Sequence, residues 1–349
     1  MIVFVNKIIS LYISITLLFY SHLCISLKPK MKMASTQVHN NWFIIVNPNA
    51  GNGKGKKDWN RISGLLEKNG IVFEAKFTER KGQAIEFARE ATGNGFRKLI
   101  SVGGDGTLNE VVNGIFTQDS CSPREVAVGM IPVGTGNDWG RMFGIPMMYE
   151  GAVKVLKENK TMLHDVGLIS FYNGNTQDKR YFINIAGLGF EALVVKKTNI
   201  QKDRGKSSRA IYFYNLLSSL LAYKKIISEL TIDGKTSSCN VFSINVGNGR
   251  YCGGGMRQTP DALPDDGLLD ITVIRDMSRI EVIKSLKLLY DGTILSHQLV
   301  DGYRCTNLKV TSNLVMFAEA DGETLGHTPV EFSIIPAGIN VIYGVKIIQ

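Results

Sequence analysis

The stretch KLISVGGDGTLNEVVNGIF, residues 98–116, decides the fold. An apolar run that reads as a buried strand meets the glycine turn GGDG (103–106), and a helix pattern follows at once. Adjacent glycines let backbone N–H groups approach an anion with no Cβ in the way, and the helix start behind them adds partial positive charge. Working outward, the same strand–loop–helix unit recurs on both sides. WFIIVN (42–47) is a short apolar run ending in turn residues, and DWNRISGLLEKNG (58–70) reads as a helix closed by Gly70. IVFEAKFT (71–78) alternates as a strand does, GQAIEFAREATGNG (82–95) is a helix with a glycine stop, and EVAVGMIPVGTGND (125–138) is another strand running into glycines. Such alternation with short connections predicts a parallel, doubly wound α/β sheet whose crevice lies at the carboxyl ends of its strands.

After about Asp165 the character changes. KRYFINIAG (179–187), ELTIDG (229–234), SCNVFSINVGNG (238–249), GLLDITVI (267–274), CTNLKVTS (305–312), TPVEFSIIP (328–336) and INVIYG (339–344) read as strands split by Gly, Asp and Asn. Two good helices interrupt them, at 209–226 and 278–292. This predicts an antiparallel β-sandwich. A length of 349 residues agrees with two domains, expected at 41–165 and 166–349.

The net charge of +9 invites a nucleic-acid reading, but its distribution argues against one, with only 196–209 as a candidate basic stripe. Seven lysines and no acid fall before Asp58, so the remaining chain is nearly neutral. Five scattered cysteines without a CxxC pair fit free thiols in a reducing compartment. Residues 8–27 carry no charge and have lysines on both flanks. They read either as a targeting or anchoring leader or as an upstream extension before Met31 or Met33, and residues 1–40 are set outside the fold. The basic run Lys196, Lys197, Lys202, Arg204, Lys206, Arg209, with Lys224 and Lys225 behind an apolar helix, reads either as a membrane-facing patch or as a solvated loop.

Four loops at strand ends are rich in Gly, Asn, Asp and Thr: VNPNAGNGKG (46–55), FTERKG (77–82), VGGDGTLNE (102–110) and PVGTGNDWGR (132–141). Four such loops on one sheet predict a phosphate-binding crevice. AGNGKGKK resembles a Walker A loop but has Ala50 where the first Gly belongs and Lys57 where Ser or Thr belongs. GLGFEA (187–192) satisfies GxGxxA, but it lies among antiparallel strands without a second βαβ unit. Acids accompany the loops: Asp105 in the first turn, Asp138 and Asp165 after later strands, and Asp321 and Glu323 in EADGET. An Asp-Gly pair alone reads as a hairpin, while a Glu just past it suits a general base for phosphoryl transfer.

VNPNAG, GGDGTLNE, GTGND, DVG (165–167), GNGRYCGGGM (247–256), DALPDDGLLD (261–270) and EADGE occur in the order and rough spacing of the diacylglycerol kinase catalytic family, and the chain resembles its compact bacterial-type lipid kinases. Sphingosine and ceramide kinases share this core, and NAD kinases share GGDGT more distantly. The resemblance covers about residues 42–345. It implies an N-terminal α/β nucleotide domain, a C-terminal β-sandwich lipid domain and a site between them. It implies ATP contacts from Asn47, Thr78, the run Gly103, Gly104, Asp105, Gly106, Thr107, Leu108 and Asn109, and Thr135. It implies Glu323 as general base, Asp105 holding Mg-ATP and the acid network, and a structural Mg²⁺ on the carbonyls of Leu263 and Leu268 and the carboxylate of Asp266. Whether Asp105 or Glu323 is the base stays open. The expected substrate is a membrane lipid, diacylglycerol or a sphingoid base, with no nucleic-acid partner and a homodimer left open. The implied location is intracellular, peripheral or N-terminally anchored at a membrane, with mitochondrion or endoplasmic reticulum as the address if the leader is real. A soluble NAD kinase and a non-catalytic lipid-binding module are the competing classes. The second-domain motifs weigh against the first, and the intact Asp105 and Glu323 against the second.

Overall fold

A computed structural model describes residues 38–134, 136–203, 209–223 and 226–344. The expected leader up to residue 37, the expected ATP contact Thr135, and Arg204, Lys206, Lys224, Lys225 and the side chains of Lys202 and Arg209 in the basic run lie outside the described residues. Among the described residues no helix is long and apolar enough to cross a membrane.

The first lobe runs β1 (Trp42–Val46), α1 (Ala50–Lys57), α2 (Trp59–Lys68), β2 (Phe73–Phe77), α3 (Gln83–Gly93), β3 (Lys98–Gly103), α4 (Asp105–Phe116), β4 (Ala127–Pro132), α5 (Asp138–Met142) and α6 (Tyr149–Glu158). The strands are parallel in the order β2-β1-β3-β4. Strands β1, β3 and β4 are buried almost throughout. A parallel strand covered on both faces must be apolar at every position, so these segments read as unbroken runs rather than alternations. Ile44, Leu99, Ile100 and Ile131 form the middle of this core, with Ile62, Leu66, Val111 and Ile115 of the helices packed on them.

The second lobe contains β5 (Thr161–Asn173), β6 (Thr176–Phe182), β7 (Ile185–Gly189), α7 (Phe190–Asp203), α8 (Arg209–Ala222), β8 (Ile226–Ile232), β9 (Lys235–Gly247), β10 (Tyr251–Cys252), β11 (Met256–Arg257), β12 (Leu269–Arg275), α9 (Arg279–Asp291), β13 (Val300–Cys305), β14 (Asn307–Ser312), β15 (Phe317–Ala320) and β16 (Glu323–Ile342). The expected antiparallel sandwich is present, and its hydrogen bonding closes on itself. β7 pairs β15, β15 pairs β16, β16 pairs β14, β14 pairs β8, β8 pairs β9, and β9 returns to β7, every pair antiparallel. Closure leaves no edge between these strands. Leu230, Ile244, Leu308, Val310, Val330 and Phe332 fill the interior.

Three elements differ from the sequence expectation. KRYFINIAG is two strands, because the chain turns at Ile183 and Asn184. The helix α7 begins inside GLGFEA, at Phe190, and had no sequence signal of its own. TPVEFSIIP and INVIYG form one strand, β16, whose register against β5 shifts between Ile335 and Ile339. Its far end leaves the sandwich and pairs parallel with β4, Asn340 against Ala127, placing Ile339, Val341 and Ile342 in the first lobe's core. β5 spans the expected 165/166 boundary, so the lobes share strands.

A second tie is polar. Asp321 and Gly322 join β15 to β16 with φ of 48° and 80°, the pair of positive φ that a type I′ turn demands. The buried Asp321 carboxylate accepts from Asn109 Nδ2 of α4 at 2.7 Å and from the N–H groups of Ile183, Asn184 and Ile185 at 3.0, 3.0 and 3.1 Å. One side chain thus joins α4, the β6–β7 turn and the hairpin. Asp321→Ala leaves four buried donors without this acceptor. At about 1–3 kcal/mol per unsatisfied group, less whatever relaxation and water recover, we expect a loss on the order of 4 kcal/mol. Urea unfolding of the purified variant measures it, and a loss below about 1 kcal/mol would show that the tie is dispensable.

Candidate active site

Because β1 to β4 are parallel, their carboxyl ends meet along one edge, and the four glycine-rich loops meet with them. The contacts are mutual. Asn47 N–H donates to the carbonyl of Val102, Thr78 N–H to that of Val46, and Val133 N–H to that of Gly103, each at 2.9 Å. Asn47 Nδ2 reaches Thr107 Oγ1 at 3.1 Å. The loop 46–55 is partly helical rather than open, but Gly51, Asn52 and Gly53 take φ of 61°, 59° and 85° inside α1. Side chains are barred where loops touch: a Cβ on Gly134 would lie 2.8 Å from the Cα of Gly104, and one on Gly51 would lie 2.2 Å from the carbonyl oxygen of Val133. The glycines that read as an anion cradle therefore also let three turns share one small space.

Asp105 opens α4 and reaches across to α5. Its two carboxylate oxygens accept from the N–H groups of Asp138 and Trp139, both at 3.1 Å. The start of α5 is thereby satisfied inside the protein, and the GTGND loop offers those two amides to Asp105 rather than to a ligand. Asp138 in turn accepts from Gly254 N–H of the second lobe at 2.8 Å. Burial first, then the charge of Asp138, pushes the Asp105 carboxyl up to about 6, against the pull of its two amides.

Glu323 begins β16 directly after the Asp321–Gly322 turn. Its carboxylate lies over the first turn of α4, where a Cβ on Gly106 would sit 2.9 Å from Glu323 Oε1. Lys81 of the 77–82 loop forms an ion pair with it. Lys81 was not among the residues expected at the site, and neither was Glu110. Glu110 accepts from the N–H groups of Gly82 and Ala84 at 2.9 and 3.2 Å and so fixes the loop that carries Lys81. The sequence held a trace of this arrangement, a charged ERKG segment at a strand end.

The structure brings together Asn47, Gly103, Gly104, Asp105, Gly106, Thr107 and Glu323, and it places buried Thr78 at the neighbouring strand end. It corrects two expected ATP contacts. Leu108 is core, and Asn109 is fully buried with its amide spent on Asp321, the Tyr181 carbonyl and Arg180. A helix presents alternate faces to cleft and core, and residues 108 and 109 fall on the core face.

The expected structural Mg²⁺ site also reads differently. Asp165 of the DVG stretch fastens the LPDDGL loop, accepting from Gly267 N–H and Ala337 N–H, both at 2.6 Å. The carboxylate of Asp266 is engaged on both oxygens, by the N–H of Leu268 at 3.0 Å and by the guanidinium of Arg304. Arg304 also reaches Asp270 at 3.4 Å. The one carboxylate expected beside the carbonyls of Leu263 and Leu268 is therefore already committed, and among the described residues no group of three His, Cys, Asp or Glu could hold a metal ion. As arranged, the expected Mg²⁺ carboxylate is already paired with a guanidinium, so an ion there would have to displace Arg304.

Two outcomes follow from these charges. The folded state holds the Asp105 proton more tightly than the unfolded chain, so ionising it costs stability as pH rises from 3.8 towards about 6. Asp105→Asn has nothing to ionise and should gain on wild type across that window, by about 3 kcal/mol at most once neutral pH is reached. Melting both proteins between pH 4 and pH 8 checks it, and a pH-independent difference would contradict the burial argument. In the LPDDGL loop, Mg²⁺ should leave the wild-type Tm unchanged, whereas Arg304→Ala should melt lower and recover partly on adding Mg²⁺. A clear Mg²⁺-induced rise in wild type would show that the ion displaces Arg304.

Comparison with known proteins accords with this geometry. A diacylglycerol kinase catalytic domain matches residues 41–169, and a YegS C-terminal NAD kinase beta sandwich-like domain matches residues 184–343. The chain is 30% identical to a diacylglycerol kinase of Staphylococcus haemolyticus over 291 residues, covering 83% of this chain and 84% of that protein. It is 29% identical to a diacylglycerol kinase of Bacillus subtilis over 307 residues, covering 86% and 95%. A crystal structure of a diacylglycerol kinase from Bacillus anthracis shares the fold, with a TM-score of 0.66 at 22% identity over 88% of this chain and 98% of that one. With both lobes matched and the glycine-rich loops, Asp105 and Glu323 gathered at one edge of the sheet, the chain belongs to the diacylglycerol kinase catalytic-domain family and is a lipid kinase.

Proposed function

We propose that the protein transfers the γ-phosphate of Mg-ATP to a primary hydroxyl of a membrane lipid, with Glu323 accepting the proton of that hydroxyl. The observation that carries this reading is the seating of Glu323 over Gly106, which puts a carboxylate from the second lobe against the glycine turn of the first. A triphosphate held by the loops of α1 and α4 would meet a hydroxyl arriving from the second lobe at this point. Phosphoryl transfer asks mainly for positioning and charge stabilisation, with a base needed late, and this arrangement supplies both. Lys81 beside Glu323 is placed to balance charge on the transferring group. Asp105 spends both oxygens on the start of α5, which favours a positioning role for it over the role of base.

The lipid side of the reading rests on the second lobe. Helices α7, α8 and α9 cover an apolar cavity, with Val194, Leu216, Phe242, Met277 and Leu286 in its wall. Helix α9 is apolar on both faces. Val282, Leu286 and Leu289 line the cavity, while Ile280, Ile283 and Tyr290 are exposed outside with Lys284 and Lys287 among them. An outer face of this composition suits an anionic membrane surface, and it would set the cavity next to the bilayer that supplies the substrate. Lys196 and Lys197 of the basic run pack inward instead, the first over the ring of Phe317 at 3.6 Å and the second towards Ser218.

Labelled ATP and a panel of lipids in mixed micelles test the reaction. Glu323→Gln keeps size and hydrogen bonding but loses basicity, so kcat should fall roughly 10²–10⁴-fold with the KM for ATP nearly unchanged. If the variant keeps most of its single-turnover rate at saturating lipid, the base is Asp105 and Glu323 only shapes the turn.

A further inference from the structure

His164 stands on β5 just before the DVG stretch, outside every motif that marks the cleft, and it is fully buried. Trp139, the second residue of α5 and likewise buried, donates its indole N–H to His164 Nε2 at 3.3 Å. The ring of Phe143 packs on both, its centroid 4.4 Å from that of Trp139 and 5.1 Å from that of His164. At the other ring nitrogen, Nδ1 meets the carbonyl of Asp165, and Asn248 Nδ2 lies 3.3 Å from Nδ1 and donates to the same carbonyl. An indole N–H only donates, so Nε2 must accept and the proton of this imidazole sits on Nδ1. His164 is thus an acceptor in the core that the proposed reaction leaves unused.

Trp139 and Asn248 belong to different lobes. Trp139 donates its backbone N–H to Asp105, in the turn whose Gly104 packs against Gly134 of the GTGND loop. Asn248 lies in GNGRYCGGGM, and its N–H donates to the carbonyl of Asn184 at 2.8 Å, while Asn184 N–H donates to Asp321 at 3.0 Å. Glu323 follows Asp321 by two residues and returns to the first turn of α4 over Gly106. Asp105, Trp139, His164, the Asp165 carbonyl, Asn248, Asn184, Asp321 and Glu323 so close a circuit through both lobes. Asp321 fixes the arc that carries Glu323, and His164 the arc that carries Asp105. Helix α5 has five residues, too few for its own hydrogen bonds to set its direction. Packing on Phe143 fills space, whereas the indole bond orients the ring and with it the start of the helix.

We infer that His164 is a positioning residue for nucleotide binding. Through the indole of Trp139 it holds α5 at the tilt from which the amides of Asp138 and Trp139 grip Asp105, and it thereby keeps the GGDG and GTGND turns in register for a polyphosphate. The inference rests on the nucleotide part of the proposed reaction, and it assigns His164 to ATP affinity rather than to the chemical step. Glu323 is placed by Asp321, through a separate link of the circuit, so loss of the indole bond leaves the base where it is.

Substitutions that separate the two ring nitrogens test this. His164→Gln keeps an acceptor near the position of Nε2, whereas His164→Asn keeps a polar group near Nδ1 and leaves the indole N–H unmet. In the ¹⁵N-labelled, nucleotide-free full-length protein each of the three tryptophans gives one indole signal, and Trp139→Phe identifies that of Trp139. That signal should exchange slowly with solvent in wild type and His164→Gln, and about tenfold faster or more in His164→Asn. Calorimetric titration with the Mg²⁺ complex of a non-hydrolysable ATP analogue should give His164→Gln an affinity within about threefold of wild type. His164→Asn should bind roughly 10–100-fold more weakly, as expected for a buried donor without its acceptor. Its kcat at saturating ATP should fall far less than its affinity, the reverse of the split expected for Glu323→Gln. If His164→Asn does not fold, Trp139→Phe takes its place, since it keeps a ring against Phe143 but removes the donor, and it should weaken the analogue in the same direction. Affinity unchanged in both His164→Asn and Trp139→Phe, or weakened alike by His164→Gln and His164→Asn, makes His164 an ordinary core residue and overturns the inference. A wild type with the protected indole signal that binds no nucleotide would sink the kinase reading rather than the bond between His164 and Trp139.

Discussion

The carboxylate of Asp321 is the interaction on which the rest depends. Glu323 is useful only if it lies against the first turn of α4, and nothing in β16 alone fixes that. The turn before it does, because Asp321 is held by a side-chain amide of α4 on one oxygen and by backbone amides of the β6–β7 turn on both. Its neighbours repeat the pattern. Asn113, one helical turn beyond Asn109, donates to the Tyr181 carbonyl and accepts from the Tyr181 N–H. Helix α4 is therefore stitched to the second lobe by side chains that satisfy backbone groups left open where β6 ends. Buried polar groups of this kind stabilise only when every partner is present, so they define one arrangement of the lobes rather than a range.

The acids gathered around that tie work against one another. Asp138, Glu191, Glu319 and Asp321 are buried and Asp105 is half-buried, and desolvation raises the carboxyl of each. A protein selected for stability alone would not bring them together. Backbone amides offset part of the cost at Asp105, Asp138 and Asp321, where a helix start or a turn faces the carboxylate. At Glu191 and Glu319 the compensation is thinner, resting on the Gln258 amide and the Cys252 thiol in one case and a single N–H in the other. The acids so divide by their environments into those that hold the fold and those still lacking a donor.

Much of this was legible in the sequence, and the limits have physical causes. The parallel sheet was readable because strands buried on both faces leave continuous apolar runs, and the phosphate loops because close backbone packing admits only glycine. Asp105 and Glu323 were found as acids in tight turns. The assignment of Asn109 to ATP failed because motif proximity does not say which face of a helix a residue occupies. Lys81 was missed because one lysine in a charged loop carries no local mark of its partner, 242 positions away in Glu323. Helix α7 was missed because its sequence is apolar towards the cavity and lysine-rich beyond it, with no proline or strong cap to announce its start. Strand β16 was read as two because Pro336, Ala337 and Gly338 look like a break, and only pairing with β5 on one side of them and with β4 beyond shows why the chain continues.

That continuity has a consequence for how the site is held. The strand that begins with Glu323 at the cleft ends with Ile342 in the core of the nucleotide lobe. Its first residue lies against the glycine turn of α4, its middle in the closed ring of strands and its last residues in the parallel sheet. Any rotation of one lobe against the other must therefore strain a single strand at both ends, with register shifts against β5 between His327 and Glu331 and between Ile335 and Ile339 as its irregular stretches. Large hinge opening is disfavoured in such a design. Helix α9 lies outside the ring, with Val282, Leu286 and Leu289 towards the cavity and Ile280, Ile283 and Tyr290 exposed, so its packing is independent of β16, Asp321 and the glycine turns that fix the lobes.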